Sequence, residues 1–164
     1  TGPAIPASLA TALSSGLSLT QTGTNDGTIG WNFSVTNSLT QYLAAGETVT
    51  AVYTITVQDD SGTGNNTATQ DVTVVITGTN DDPIITIGGG DSAAETIGVT
   101  GSTLTTSGSL SVADIDLTDV VTAAVSSFAK SGDIAGLTLS DAQLEAMLAL
   151  NANVISNAQQ SGTI

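Results

Sequence analysis

The chain has 164 residues and a strongly acidic composition, in which fifteen carboxylates stand against one basic side chain, Lys130, for a formal charge of −14 at pH 7. This charge argues against nucleic acid and anionic membrane surfaces as partners, because both bind proteins through lysine and arginine. Cysteine and histidine are absent from the sequence, so it offers no disulfide, thiol nucleophile or imidazole base. The partner that this balance favours is a cation, and catalysis is not expected.

The hydrophobic content is 40%, and the sequence holds eighteen glycines but only a 3% aromatic share. The apolar residues are mostly Val, Ile, Leu and Ala beside many Thr, a composition typical of short strands joined by tight turns. No apolar run approaches the roughly 20 residues that span a bilayer, and residues 1–30 lack the basic start of a signal peptide. We therefore expect an all-β protein without membrane insertion, and interpret the chain as an internal fragment.

Alternating apolar and polar residues predict three strands in the first half of the chain, at residues 29–35, 49–57 and 72–76. Trp31, Phe33 and Tyr53 occupy apolar positions of these strands, which assigns all three aromatic side chains to the core.

In the second half, short apolar runs predict strands at residues 84–87, 107–113 and 120–128. A helix is predicted to begin after Ser140, because Gln143 completes a capping box with that serine. Leu144 and Leu148 would share one face of this helix.

The sequence contains an internal repeat with an offset of 135 residues, the difference between positions 162 and 27. Residues 162–164 repeat the Gly-Thr-Ile of residues 27–29, while Leu144 and Leu148 fall on Leu9 and Leu13. Residues 1–83 would then form the C-terminal half of one repeat, and residues 84–164 the N-terminal half of the next. The two halves could associate as one split sandwich or stand apart.

The carboxylates cluster at predicted turns and strand ends, where calcium could take its six to eight oxygen ligands. The candidate metal ligands are Asp59, Asp60, Asn80, Asp81, Asp82, Glu95, Asp114, Asp116 and Asp119. Asp114 and Asp116 alternate with Ile115, so an extended backbone would point both carboxylates the same way. These residues predict calcium as the cofactor.

The remaining acidic residues are expected to have plainer roles. Asp26 and Asp133 each adjoin a glycine and are interpreted as turn residues. Asp71, Asp91 and Asp141 are expected to face solvent, the last as a charge at a helix start. A turn-forming role is also open for Asp60.

Several passages resemble the VCBS repeat, an immunoglobulin-like or cadherin-like module of long bacterial RTX adhesins. They are Leu-Ala-Ala-Gly-Glu-Thr-Val at 43–49, Tyr-Thr-Ile-Thr-Val-Gln-Asp at 53–59, Thr-Val-Val-Ile-Thr-Gly-Thr-Asn-Asp-Asp-Pro at 73–83, and Gly-Ser-Leu-Ser-Val-Ala-Asp-Ile-Asp at 108–116. The resemblance implies a Greek-key β-sandwich in tandem array with calcium at the linkers; the predicted helix would recur once per repeat.

The resemblance also implies roles for the candidate ligands. Asp59 or Asp60 would be a strand-end ligand, Asn80 and Asp81 linker ligands, and Asp114 with Asp116 a ligand pair. Glu95 resembles the acidic residue of a first strand that serves a junction, and Asp119 would complete a site.

The function implied is structural. The chain would be a secreted, monomeric extender at the bacterial cell surface, stiffened by calcium to project a distal adhesive domain and contacting neighbouring repeats. The alternative is a glycan-binding adhesin module, which would need an exposed aromatic side chain or a calcium ion with an open coordination position.

Overall fold

The computed structural model describes residues 2–22 and 27–164. The chain divides into two compact units, one ending at Asn80 and the other comprising Asp81–Ile164. Each unit has its own strands and its own buried apolar cluster.

The first unit consists of a helix followed by two antiparallel hairpins. Its elements are α1 (Ala7–Ser14), β1 (Leu17–Thr22), β2 (Thr28–Phe33), a 3-10 turn (Asn37–Leu39), β3 (Thr48–Gln58) and β4 (Thr67–Thr77). Strand β1 pairs with β2, and β3 pairs with β4 in a continuous register from Thr48 opposite Thr77 to Gln58 opposite Thr67. The three strands predicted here are confirmed.

The core of the first unit lies where α1 packs against the start of β3. Leu9 and Leu13, one helical turn apart, are buried with Leu43 and Val49. The Tyr53 hydroxyl donates a hydrogen bond of 2.6 Å to the Leu13 carbonyl at the end of the helix, and the rings of Phe33 and Tyr53 lie 6.3 Å apart. The apolar face of α1 therefore packs against the β3–β4 hairpin.

The prediction that Trp31 belongs to the core is wrong, because its side chain is 48% exposed. Strand alternation does place Trp31 on an apolar face, opposite Leu19 in the hairpin register. Phe33, at the base of this face, packs on the core, whereas Leu19, Ile29 and Trp31 remain exposed. Periodicity identified the apolar face correctly but could not show what covers it.

The second unit has shorter strands and more irregular backbone. Its elements are β5 (Ile84–Thr86), β6 (Ser111–Ala113), β7 (Val121–Thr122), α2 (Asp141–Glu145), β8 (Asn153–Ile155) and β9 (Ser161–Thr163). Strand β6 lies between β5 and β9 in an antiparallel sheet, and β7 pairs with β8. Val112, Val154 and Ile155 form its buried cluster.

The strands and the helix predicted for this unit are present, but two of the strands are much shorter than predicted. The predicted strands at 107–113 and 120–128 are shorter in the structure, at Ser111–Ala113 and Val121–Thr122. The capping box of Ser140 and Gln143 is present as predicted. Small antiparallel sheets with few helices make the protein all-β, while the Greek-key sandwich stays a prediction.

Among the residues that the structure describes, no helix has the length and apolar character needed to cross a membrane.

Gly78 closes the first unit and gives a test of its packing. Its N–H donates to the Glu47 carbonyl at 2.8 Å, and a β-carbon there would overlap the carbonyl oxygens of Leu43 and Ala44. We expect Gly78→Ala to destabilise the unit by about 1–3 kcal/mol, since overpacking forces the backbone apart. Thermal unfolding measures the loss. Gly64→Ala, whose added methyl group meets nothing within 4 Å, is the control, and equal melting of the two variants would contradict the prediction.

Candidate metal centre

Three aspartates converge directly after strand β6. Oxygen atoms of Asp114, Asp116 and Asp119 all lie within 4.8 Å of one another. Asp114 and Asp116 are buried, and Asp119 is half-buried. Within residues 2–22 and 27–164, this is the group of acidic side chains close enough together to hold a metal ion.

A tight turn of backbone brings the three carboxylates together. The Asp116 N–H donates to Oδ1 of Asp114 at 3.0 Å, and the Asp119 N–H donates to the Asp116 carbonyl at 3.4 Å. Ile115 points the other way and is exposed. The side chains of Asp114 and Asp116 are thus buried as their alternation with Ile115 predicts, whereas Asp119 reaches the cluster through the turn.

The segment before β9 forms the wall of this site. The Asp114 N–H donates to the Gln160 carbonyl at 3.1 Å, and the Ala158 N–H donates to the Leu117 carbonyl at 2.8 Å. The Gln160 side-chain amide donates to the Ile115 carbonyl. These bonds fix the acidic turn from residues more than 40 positions further along the chain.

Asp116 is the centre of the cluster and is 0% exposed. Its Oδ2 accepts a hydrogen bond of 2.8 Å from the Asp81 N–H, while its Oδ1 is buried without a hydrogen-bond partner. Burial raises the pKa of Asp116, and the negative charges of Asp119, Asp114 and Asp81 raise it further, against the opposing effect of the Asp81 N–H. A buried carboxylate in this setting costs free energy unless a proton or a cation neutralises it.

The protein supplies no cationic side chain for this purpose. Lys130 is the only basic residue of the sequence, and its ammonium group pairs with Asp141 at 2.5 Å. The cluster offers oxygen atoms alone, the donor set of hard cations such as calcium, magnesium and manganese. The arrangement could therefore hold a metal ion.

The other predicted ligands in the second unit lie outside the group of three. Asp81 contributes its backbone N–H to Asp116, and its carboxylate is close enough to affect the pKa of Asp116. Asp82 and Glu95 are exposed, and the Glu95 carboxylate accepts a hydrogen bond from the Ser92 hydroxyl.

The predicted ligands in the first unit are exposed. Asp59 forms a turn at the end of β3, where its Oδ1 accepts from the Ser61 N–H at 2.9 Å; hydrogen bonds from Ser61 lower the pKa of Asp59. Asp60 lies in the same turn, and Asn80 is the last residue of the unit. Asp26, interpreted as a turn residue, lies outside the described residues.

Asp91 has a role that the sequence analysis missed. Instead of facing solvent freely, it is half-buried, and its Oδ2 accepts from the N–H groups of Gly88 at 2.7 Å and Ser111 at 2.9 Å. Its Oδ1 accepts from the Ser109 hydroxyl at 3.1 Å, and these donors, led by Gly88, lower the pKa of Asp91. The available signal was the glycine run 88–90 before Asp91, since an aspartate beside glycines is a common turn former that bonds nearby backbone.

No protein-family model, curated protein or solved structure matches the chain. The resemblance to VCBS repeats consequently stays a prediction, and the argument for function rests on the geometry of the acidic cluster.

The variant Asp116→Asn removes the buried negative charge and, with it, a carboxylate ligand. Its stability in chelator and in calcium therefore measures these two effects separately. The raised pKa means that the folded metal-free protein binds this proton more tightly than the unfolded chain, so stability falls as pH rises from about 4 through the raised value. We expect the variant to melt above the wild type in chelator, by a margin that grows from pH 4 to pH 7. With millimolar calcium the order should reverse. Calorimetry measures both, and a variant that melts lower in chelator at pH 7 would refute the electrostatic cost.

The variant Asp91→Ala tests an aspartate whose role is structural, in contrast to the candidate ligand Asp116. We expect it to lower the melting temperature equally in calcium and in chelator, because Asp91 binds backbone and serine donors and not the candidate ion. Its lowered pKa contributes stability above the unfolded value of about 4, which is lost as pH falls through the folded value. A loss seen in calcium alone would instead make Asp91 part of a metal site.

Proposed function

We propose that this chain is a calcium-binding structural module from the stalk of a secreted bacterial RTX adhesin. The observation that carries the proposal is the wholly buried Asp116, whose Oδ1 has no hydrogen-bond partner and whose carboxylate lies beside those of Asp114 and Asp119. A protein retains such an arrangement at a cost in stability unless a cation offsets it. The function is then mechanical, because the ion holds backbone segments together.

Calcium is the proposed ion because its coordination is flexible. It takes six to eight oxygen ligands at 2.3–2.6 Å, whereas magnesium demands a nearly regular octahedron at 2.0–2.1 Å. The cluster supplies carboxylate oxygens within 4.8 Å of one another, and the resemblance to calcium-binding repeats favours calcium among the cations that accept such ligands.

The position of the site favours a structural role. It joins the turn after β6 to residues 158–160 before β9 and to the backbone of Asp81, the first residue of the second unit. A cation bound to the cluster would remove the repulsion between its carboxylates. It would thereby fix the backbone of Asp81, at the start of the second unit, against the turn after β6. Affinity should lie in the extracellular range, with a dissociation constant on the order of 10⁻⁴ to 10⁻³ M.

The resemblance of residues 73–83 and 108–116 to VCBS repeats supports the wider setting. Both passages contribute to the candidate site, the first containing Asp81 and the second containing Asp114 and Asp116. In that setting the partners are calcium and neighbouring repeats, and the stalk projects an adhesive domain from the cell surface.

A glycan-binding module is the second candidate, and exposed Trp31 is the observation in its favour. The side chains beside Trp31 on its face of the hairpin are apolar, with Leu19 directly opposite and Ile29 and Phe33 on either side along β2. A sugar stacked there would find few hydrogen-bond partners, whereas sugar sites combine an aromatic surface with convergent polar groups. The face suits an apolar protein segment better.

The calcium proposal predicts metal-dependent stability. At calcium ten times above its dissociation constant, binding should stabilise the second unit by about 1.4 kcal/mol, which raises the melting temperature of a domain of this size by several degrees. Asp119→Asn should weaken calcium binding measured by isothermal titration calorimetry.

The matched control is Asp133→Asn, which removes the same charge from an exposed carboxylate of the same unit and should bind calcium normally. Small-angle scattering with calcium and with chelator tests the stiffening. A melting temperature and molecular dimensions that are the same in calcium and in chelator would contradict the proposal. Equal calcium affinities of Asp119→Asn and Asp133→Asn would contradict it as well.

A further inference from the structure

One non-glycine residue among residues 2–22 and 27–164 has a left-handed backbone conformation. This residue is Ala158, with φ at 68°, and it lies between β8 and β9 in the turn of residues 156–160, here called the β8–β9 turn. Alanine is strained in this conformation because its β-carbon comes too close to backbone oxygen, whereas glycine adopts it freely. Such strain persists only where surrounding interactions hold it, and it is found most often at ligand sites.

The interactions that hold Ala158 connect it to the acidic turn of the candidate metal centre. The Ala158 N–H donates to the Leu117 carbonyl at 2.8 Å. Two residues further along, the Gln160 carbonyl accepts from the Asp114 N–H at 3.1 Å, and the Gln160 side-chain amide donates to the Ile115 carbonyl. The strained turn therefore contacts the backbone on both sides of the buried carboxylate at the centre of the cluster.

Little else secures the β8–β9 turn. All five of its residues are exposed, and the strands on either side have three residues each. Inside the turn, the Gln159 N–H donates to the Ser156 carbonyl at 3.0 Å, and the Ser156 hydroxyl donates to the Gln159 side chain at 2.5 Å. Segments with exposed hydrogen bonds and few buried apolar contacts are those that open most readily in a folded protein.

We infer that the β8–β9 turn is a clamp that opens and closes over the candidate cation site, and that the strain at Ala158 sets how often the clamp is closed. In the closed form, the bonds from Ala158 and Gln160 hold the acidic turn in the shape that brings its three carboxylates together. In the open form, the carboxylates would repel one another and separate. This inference rests on the proposed function, since it concerns the affinity of the same site.

The clamp would regulate affinity through the fraction of molecules in which it is closed. A cation that binds only the closed form has an apparent dissociation constant equal to the intrinsic one divided by that fraction. Strain at Ala158 lowers the closed fraction and keeps the affinity weak. Ala158 and Gln160 are then positioning residues, which act through the backbone of the acidic turn.

The variant Ala158→Gly tests the clamp directly. Glycine adopts the left-handed conformation without strain, so the closed fraction should rise, and the calcium dissociation constant measured by isothermal titration calorimetry should fall by about twofold to fivefold. Hydrogen exchange of the Asp114 N–H in chelator should slow by a similar factor. The matched control is Ala146→Gly, which removes the same methyl group from an exposed alanine with φ at −66°. It should leave both quantities unchanged.

Two further variants act in the opposite direction. A branched side chain is excluded from the left-handed region, so Ala158→Val should weaken calcium binding by about tenfold or more and speed exchange of the Asp114 N–H. Gln160→Ala removes the bond to the Ile115 carbonyl and should raise the dissociation constant by about threefold. Adding Ala158→Gly to Gln160→Ala should restore the wild-type affinity, because both changes act on one closing equilibrium.

A merely structural role for Ala158 predicts a different result. Ala158→Gly would then raise the melting temperature equally in calcium and in chelator and leave the calcium affinity unchanged, which would overturn the inference. Wild-type protein that binds calcium with the same affinity as Ala158→Gly refutes the clamp alone. Wild-type protein that binds no calcium refutes the proposed function and the clamp together.

Discussion

The organisation of the second unit depends on one carboxylate that has been removed from water. Asp116 is fully buried, with one oxygen held by the Asp81 N–H and the other unpaired. The surrounding strands contribute little apolar burial, since β5, β6, β8 and β9 have three residues each. Two backbone hydrogen bonds and one from the Gln160 side chain connect Asp114, Leu117 and Ile115 to residues 158–160, and all three lie at the turn that carries Asp116. Neutralising Asp116 would therefore also stabilise the sheet.

The uneven burial of apolar residues in the two units follows from the same sparse packing. A two-stranded hairpin cannot bury its apolar face alone and needs further strands or a helix against it. Helix α1 and the base of β2 satisfy this need for the start of β3, and β6 with β7 satisfy it for β8. Leu13 and Val154 are buried because they belong to these two clusters, whereas Leu148 and Leu19 lie outside them and are exposed.

The sequence predicted β3 over nearly its full length, the second half of β4, the capping box at Ser140 and the burial of Asp114 and Asp116, because each depends on neighbours within a few residues. It could not predict that Asp91 would bond Gly88, Ser109 and Ser111, nor that Trp31 would be exposed. Both depend on which distant segment approaches, a choice that alternation does not encode. The nine candidate ligands divided for the same reason, with three brought together by one local turn and Asp59 bonded to its own turn.

The acidic turn and the small apolar cluster of the second unit are adjacent in the chain. Val112 of that cluster lies two residues before Asp114, and the Asp114 N–H donates to the Gln160 carbonyl just before β9. An ion that fixed the turn would therefore also restrain β6 and the segment that leads into β9. A segment ordered in this way loses less conformational entropy when it packs than a mobile one does, so cation binding and apolar packing in this unit should reinforce each other.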